Sequence, residues 1–192
     1  ADNTWEKLLS KIKVSGGTDR EKNLFYSCLY NSFKWPALRS DVNFDYTDIQ
    51  GNVVNNGFNY YTNPSFWDDY RNKLILLGML SPEVTTDVIK SIIDKGEKSN
   101  GYMPTFFHGD HASTFISGSW LRGLHDFDLN RAYKLILKNA TVPGEGGRRY
   151  LDEYIERGWI AEKDTVNVPT QDEYKGAVTK TVEYAYDDYA VA

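Results

Sequence analysis

The stretch PSFWDDYRNKL, residues 64–74, brings a tryptophan, two carboxylates, a tyrosine and an arginine within a few positions of one another. In a helix, Trp67 and Arg71 are four residues apart and share a face, while Asp68 and Arg71 are three apart and are spaced to pair. One reading is a core tryptophan beside a surface ion pair, an interaction worth little energetically. The other is a sugar grip, with the indole flat under a pyranose ring and Asp68 accepting hydrogen bonds from neighbouring hydroxyls. Spacing alone favours the first.

Two other groups of residues could do chemistry. HGDHA places His108, Asp110 and His111 at the entry to a helix. The spacing is not the His-x-x-x-His of a zinc helix, and Asp110 is expected to act as an N-cap. The acidic pairs Asp126/Asp128 and Asp187/Asp188 invite a glycosidase reading, in which two carboxyls flank the scissile bond. Asp128 is better explained as a cap, and Asp187/Asp188 as a solvated helix face. No G-x-S-x-G, P-loop or G-x-G-x-x-G motif supports a hydrolase elbow or a nucleotide site.

The elements that must carry these residues read as helices. A short first helix is expected near Trp5 to Ile12, and Thr18-x-x-Glu21 is a capping box opening a second, with Leu24, Phe25, Cys28, Leu29 and Phe33 on one face. Residues 35–62 lack helical period and read as a long structured loop or short hairpin. A helix from about Pro64 to Leu77 carries the opening motif, and Pro82 after Ser81 starts the next, striped by Val84, Val88, Ile89, Ile92 and Ile93. HASTFISGSWLRG follows as a helix of small residues. Asp128 then caps a helix with Leu129, Ala132, Tyr133, Ile136 and Ala140 on one face, and a short helix surrounds Leu151, Tyr154 and Ile155. NVPTQDEYKG is a turn-rich connection, and the last helix aligns Val178, Val182, Ala185, Tyr186 and Tyr189, ending without a C-cap signal. The fold class is all-α, with antiparallel helical hairpins and long polar loops.

At 192 residues the chain can form one sizeable core. Its composition, 41% hydrophobic and 26% charged, belongs to a folded protein, not a disordered tail. A net charge of −5 and the lack of a Lys/Arg run argue against nucleic acid as a partner. The longest apolar run, LILLGML at 74–80, is far short of the roughly 20 residues of a membrane span. A single cysteine, Cys28, excludes an internal disulfide framework. The 14 tyrosines, 9 phenylalanines and 5 tryptophans suit carbohydrate ligands and wet cores alike.

Taken in order, FYSCLYNSFKWP, SFWDDYR, GYMPTFF, GDHASTFISGSWLRGLHDFD and VEYAYDDYAVA resemble the catalytic region of glycoside hydrolase family 92 along nearly the whole chain. The resemblance implies a calcium-dependent exo-α-mannosidase that inverts the anomeric centre, built as a β-sandwich followed by an (α/α)6 toroid. Residues 1–192 would then be a partial toroid, with the β-sandwich and remaining helices elsewhere. The family's S-[LF]-W-D-T-[YF]-R motif falls on Ser65 to Arg71, with Asp69 in place of the usual Thr. It carries mannose recognition over to Trp67 and Asp68, with Arg71 in the same motif. His111 matches a G-[ND]-H-A motif near the same pocket. The family's acid motif, resembling EGNAWQY, and its base motif G-[ND]-[DE]-D-x-G do not occur here, so no catalytic residue is assigned and the segment alone is expected to be inactive.

Where the family commonly reads ADAY, this chain has SGSW, putting Gly118 at the acidic position. The resemblance further implies two partners: a mannose-containing glycan that loses terminal α-linked mannose, α-1,2-linked in the first instance, and the remainder of the same enzyme. It implies Ca2+ with no ligand assigned in this chain, and a secreted, periplasmic or cell-surface location. The rival reading is a helical glycan-binding protein without hydrolytic activity. The loops at 35–62 and 99–110 are expected at the same end as Trp67 and His111.

Overall fold

A computed structural model describes residues 2–105, 109–162 and 176–192. The described residues form nine helices and one small hairpin: α1 (Asp2–Leu9), α2 (Asp19–Phe33), β1 (Asp45–Thr47), β2 (Val53–Asn55), α3 (Phe66–Asp69), α4 (Lys73–Leu80), α5 (Pro82–Lys98), α6 (His111–Leu121), α7 (Leu129–Thr141), α8 (Leu151–Arg157) and α9 (Ala177–Val191). Successive helices pack on one another: α1 on α2, α4 on α5, α6 on α7 and α7 on α8. The class is all-α, as the sequence implies. His108 and most of the NVPTQDEYKG connection lie outside the described residues.

Local signals act as chemistry predicts. In α2 the Thr18 side chain accepts from the Glu21 amide while the Glu21 carboxylate accepts from the Thr18 N–H, a closed capping box. Pro82 opens α5 without losing a backbone hydrogen bond, and the Asp128 carboxylate caps α7 by accepting from the Arg131 N–H. The core is built around α5, whose Val88, Ile89, Ile92 and Ile93 are buried with Leu74, Leu77, Phe115, Ile116, Leu135 and Ile136. Each such aliphatic side chain contributes about 1.5–3 kcal/mol on burial.

The expected helix over 64–77 is two helices, α3 and α4. Asn72 sits at φ −139°, ψ −80° and its side chain accepts from the Lys73 N–H, so it ends one helix and caps the next. The expected apolar faces of α2 and α9 are not the buried ones. Leu24 and Cys28 are exposed, and only Leu29 of α2 is fully buried. In α9, Val178, Val182, Tyr186 and Tyr189 are exposed while Ala177, Lys180, Tyr184 and Asp187 face inward. The exposed side of α9 joins α6 and α7 around an apolar groove that includes Trp120, Leu129, Tyr133, Tyr186 and Gly118. In α7 the buried stripe is Ala132, Leu135, Ile136 and Asn139, rotated from the expected one, so that Tyr133 turns into that groove.

The 35–62 segment is ordered by aromatic and ionic contacts with the second half of α5. β1 and β2 pair antiparallel, Tyr46 stacks on Tyr60 at 3.8 Å, and the Tyr60 hydroxyl donates to Asp94 at 3.0 Å. Lys98 bridges Asp48 (3.1 Å) and Asp94 (2.7 Å), and buried Lys95 donates to the Tyr61 carbonyl at 2.6 Å. A polar loop is thus fixed without an apolar core of its own.

Candidate functional site

Three elements meet around Glu183. The Trp67 indole of α3 donates to Glu183 Oε1 at 2.9 Å, and His111 Nε2, at the start of α6, lies 2.9 Å from Glu183 Oε2. The Tyr70 ring packs against His111 at a centroid distance of 4.8 Å and against Tyr186 of α9 at 6.0 Å. Burial pushes the Glu183 carboxyl up, but the hydrogen bonds from Trp67 and His111 and the charges of His111 and Arg71 outweigh it and hold it below its ordinary value. Glu183 is therefore an ionised clamp on an indole and an imidazole.

The sequence-derived residues fall into two positions. Trp67 is half-buried and Asp68 and Arg71 are exposed, forming the outer surface. His111 has no exposed side-chain surface and stands behind them. The expected Asp68–Arg71 pairing gives way to other partners, because the helix ends between the two residues. Asp68 accepts from the Ser65 hydroxyl at 2.5 Å, while the Arg71 guanidinium lies over the Trp67 ring (5.2 Å) and the Tyr70 ring (4.8 Å) and donates to the Trp67 carbonyl. These cation–π contacts rigidify the indole. Asp69, the departure from the motif, pairs with Lys73 at 2.8 Å.

Behind this surface lies a buried ionic cluster that corrects two expectations. Asp110 does not cap α6; its fully buried carboxylate accepts from Arg148 Nε at 3.2 Å and from the Asn139 amide at 3.0 Å. Asp187 is not on a solvated face; it is fully buried, and its Oδ2 accepts the Asp110 backbone N–H at 2.6 Å. Asp188 does reach partial exposure, but it is tied to Arg148 Nη1 at 2.5 Å and to the Tyr154 hydroxyl at 3.1 Å. Arg148 draws both acids together because a guanidinium presents several donors in a fixed fork.

Burial pushes the Asp110 carboxyl up to about 6 against the pull of Arg148 and Asn139. Burial, with the neighbouring Asp110 charge, pushes Asp187 up to about 8 against the Asp110 N–H and Arg148. Asp110 holds two side-chain donors whereas Asp187 Oδ1 has no hydrogen-bond partner, so Asp187 is the acid that keeps a proton at neutral pH. Gly109 lies against this cluster: a Cβ there would meet His111 Cε1 at 2.5 Å and Asp187 Oδ2 at 2.9 Å.

Among the described residues, no group of three or more His, Cys, Asp or Glu converges so as to hold a metal ion. Of the carboxylates near Trp67, Glu183 is held by indole and imidazole groups, Asp69 pairs with the Lys73 ammonium, and Asp68 stands alone at the surface with the Ser65 hydroxyl. The described residues therefore do not fit a calcium site of their own, since Ca2+ takes six to eight oxygen ligands. No helix among the described residues is long and apolar enough to cross a membrane.

Sequence reasoning missed Glu183, Arg148 and Asn139. The available signal was a polar stripe at helical spacing in α9, Lys180, Glu183 and Asp187, set against an apolar face that proved exposed.

A search of curated proteins returned no significant match. Among solved structures, the chain superposes on the α-mannosidase BT3965 from Bacteroides thetaiotaomicron with a TM-score of 0.83 and 29% identity, covering 99% of this chain and 25% of that one. The same mannosidase in complex with mannoimidazole gives 0.84 and 28%, with the same coverage of both chains. The inverting mannosidase BT2199 from B. thetaiotaomicron VPI-5482 gives 0.78 and 28%, over 99% of this chain and 26% of that one. The chain thus spans about a quarter of the length of these relatives. The model of the glycosyl hydrolase family 92 catalytic domain matches residues 1–192, and the chain belongs to that family.

Proposed function

We propose that this chain is part of an enzyme that removes terminal α-linked mannose, α-1,2-linked in the first instance, from glycans with inversion, and that it supplies the wall holding the terminal sugar. The observation that carries the assignment to residues is the Glu183 clamp, which joins Trp67 of one motif to His111 of another. The solved relative that binds mannoimidazole supports mannose as the sugar. Trp67 offers its half-exposed indole to the sugar ring and Asp68 its exposed carboxylate to the hydroxyls, with Arg71 bracing the indole. His111 acts from behind, through Glu183.

An inverting hydrolysis needs one carboxylic acid to protonate the leaving oxygen and a carboxylate to activate water on the opposite face of the sugar. We assign neither to this chain, because the motifs that carry them in the family do not occur in its sequence. The helices would form one part of an (α/α)6 toroid. Calcium, when bound, would engage oxygen groups of the sugar, with ligands from outside the described residues. The family membership suggests a secreted, periplasmic or cell-surface location.

The test is hydrolysis of an α-1,2-mannobiose by the complete enzyme, following the anomer first released by proton NMR, with and without a calcium chelator. Release of β-mannose that chelation abolishes is the expected result. Binding of the disaccharide without any hydrolysis would instead favour a glycan-binding protein.

A further inference from the structure

A second cavity, of about 350 Å3, opens beside the Ser65–Asp68 pair. It is lined by Trp35, Asn63, Ser65, Phe66, Pro104 and Thr105 among others, so it joins the start of the long loop at 35–62, the entry to α3 and the segment that follows α5. The size is at the low end of small-molecule sites, roughly 300–1,000 Å3. Trp35 is 42% exposed in this chain.

The polar groups of the cavity are held in fixed roles. Buried Lys95 donates to Asn63 Oδ1 at 2.8 Å, which settles the orientation of that amide and leaves its NH2 group as the donor for a ligand. The Ser65 hydroxyl gives its proton to Asp68, so toward a ligand it acts as an acceptor. A flat indole and two prolines, Pro64 and Pro104, supply apolar faces, and a donor and an acceptor are spaced around them. That combination matches a pyranose, which has C–H faces and a rim of hydroxyls. Among the described residues no cationic side chain lines the cavity, and the nearby Lys95 ammonium is engaged by Asn63 Oδ1 and the Tyr61 carbonyl.

We infer that this cavity is a second sugar subsite, in which Trp35 is the platform and Asn63 and Ser65 hold hydroxyls of the sugar ring next to the terminal mannose. Ser65 makes the two sites contiguous, because it lines the cavity and bonds to Asp68 at the same time. The inference rests on the reading of Trp67 and Asp68 as the terminal-mannose wall. It adds the residues that recognise the leaving sugar, and so sets a preference for glycans over simple mannosides.

The experiment compares two substrates in the complete enzyme: α-mannobiose, and α-mannosyl fluoride, whose leaving group is a single atom and reaches no second subsite. Trp35→Ala and Asn63→Ala are expected to lower kcat/KM for mannobiose about tenfold or more, with the fluoride within about twofold of wild type. Trp35→Tyr, which keeps a platform, should retain most of the disaccharide rate, and this variant covers the case in which Trp35→Ala folds poorly. An equal fall on both substrates, or no fall on mannobiose, overturns the subsite. If wild-type enzyme cleaves neither substrate, the mannosidase reading fails separately. The Trp35 indole N–H resonance then decides: a shift on adding mannobiose supports a binding subsite, and no shift rejects it.

Discussion

The indole nitrogen of Trp67 and the Glu183 carboxylate, separated by 116 positions in the sequence, lie 2.9 Å apart. This contact fixes the plane of the tryptophan that faces solvent, and it does so from a helix that shares no motif with it. The other Glu183 oxygen, at the same distance from His111 Nε2, makes the clamp two-sided. Glu183→Ala removes an ionised acceptor from two donors, a loss on the order of 1.5–3 kcal/mol for each charged hydrogen bond. A chain of this length loses about 2–4 °C of Tm per kcal/mol. Thermal melting should therefore show a clear decrease for Glu183→Ala and a smaller one for Glu183→Gln, which keeps one oxygen acceptor. Identical melting of all three proteins would contradict the clamp.

Asp68 is exposed and its hydrogen bond is to Ser65, so Asp68→Ala should change stability by no more than about 0.5 kcal/mol. In the complete enzyme the same variant leaves sugar hydroxyls without their charged acceptor. The cost is about 1.5–3 kcal/mol, or roughly tenfold to over a hundredfold in kcat/KM. Normal kcat/KM with normal melting would remove Asp68 from the sugar wall.

Arg148 is buried between Asp110 and Asp188. Arg148→Met leaves Asp110 in a dry site without its cation, and breaking a buried pair from one side costs about 3–5 kcal/mol. Denaturant unfolding should show that loss. Arg148→Lys should recover only part of it, because an ammonium cannot reproduce the fork that reaches both carboxylates. Full stability of the lysine variant would show that charge alone matters there.

Asp187 predicts a pH dependence with a definite sign. Its carboxyl is raised to about 8 in the folded chain, whereas an unfolded aspartate titrates near about 3.9. Between those values the folded state holds a proton that the unfolded state has lost. Stability from this residue is thus complete below the unfolded value and declines as pH rises toward the folded one, by at most about 1.4 kcal/mol per pH unit. Asp187→Asn imitates the protonated form, so its Tm should fall less than that of wild type as pH rises from about 4 to about 8. Parallel Tm curves for the two proteins would place the proton elsewhere.

What the sequence disclosed was local. Thr18 with Glu21, Pro82 and Asp128 satisfy helix ends within three residues of themselves, and each appears in the structure as read. The surface part of the candidate site, Trp67 and Asp68, lies in one short motif and is proposed from it. The supporting part was not: Glu183 is 72 positions from His111, and Asp187 is 77 from Asp110. In α9 the apolar residues do share a face, but burial within this chain follows ionic partners at α6 and Arg148 on the other face. Periodicity does not reveal the break at Asn72 for a related reason: a helix-compatible apolar spacing continues through a residue whose side chain competes for its neighbour's N–H.

The tight seat of Gly109 has a genetic meaning. Every other amino acid carries a Cβ, and at this position that atom would fall within 2.5 Å of the His111 ring and 2.9 Å of the Asp187 carboxylate. Both neighbours are buried and fixed, so neither can swing aside as a surface side chain would. Any missense change in the codon for residue 109 should therefore be deleterious, alanine included, and a saturation library selected for function should return glycine there alone. The turn glycines Gly16, Gly51 and Gly57, with nothing within 4 Å of an added Cβ, should instead admit asparagine or aspartate, residues that tolerate a left-handed backbone.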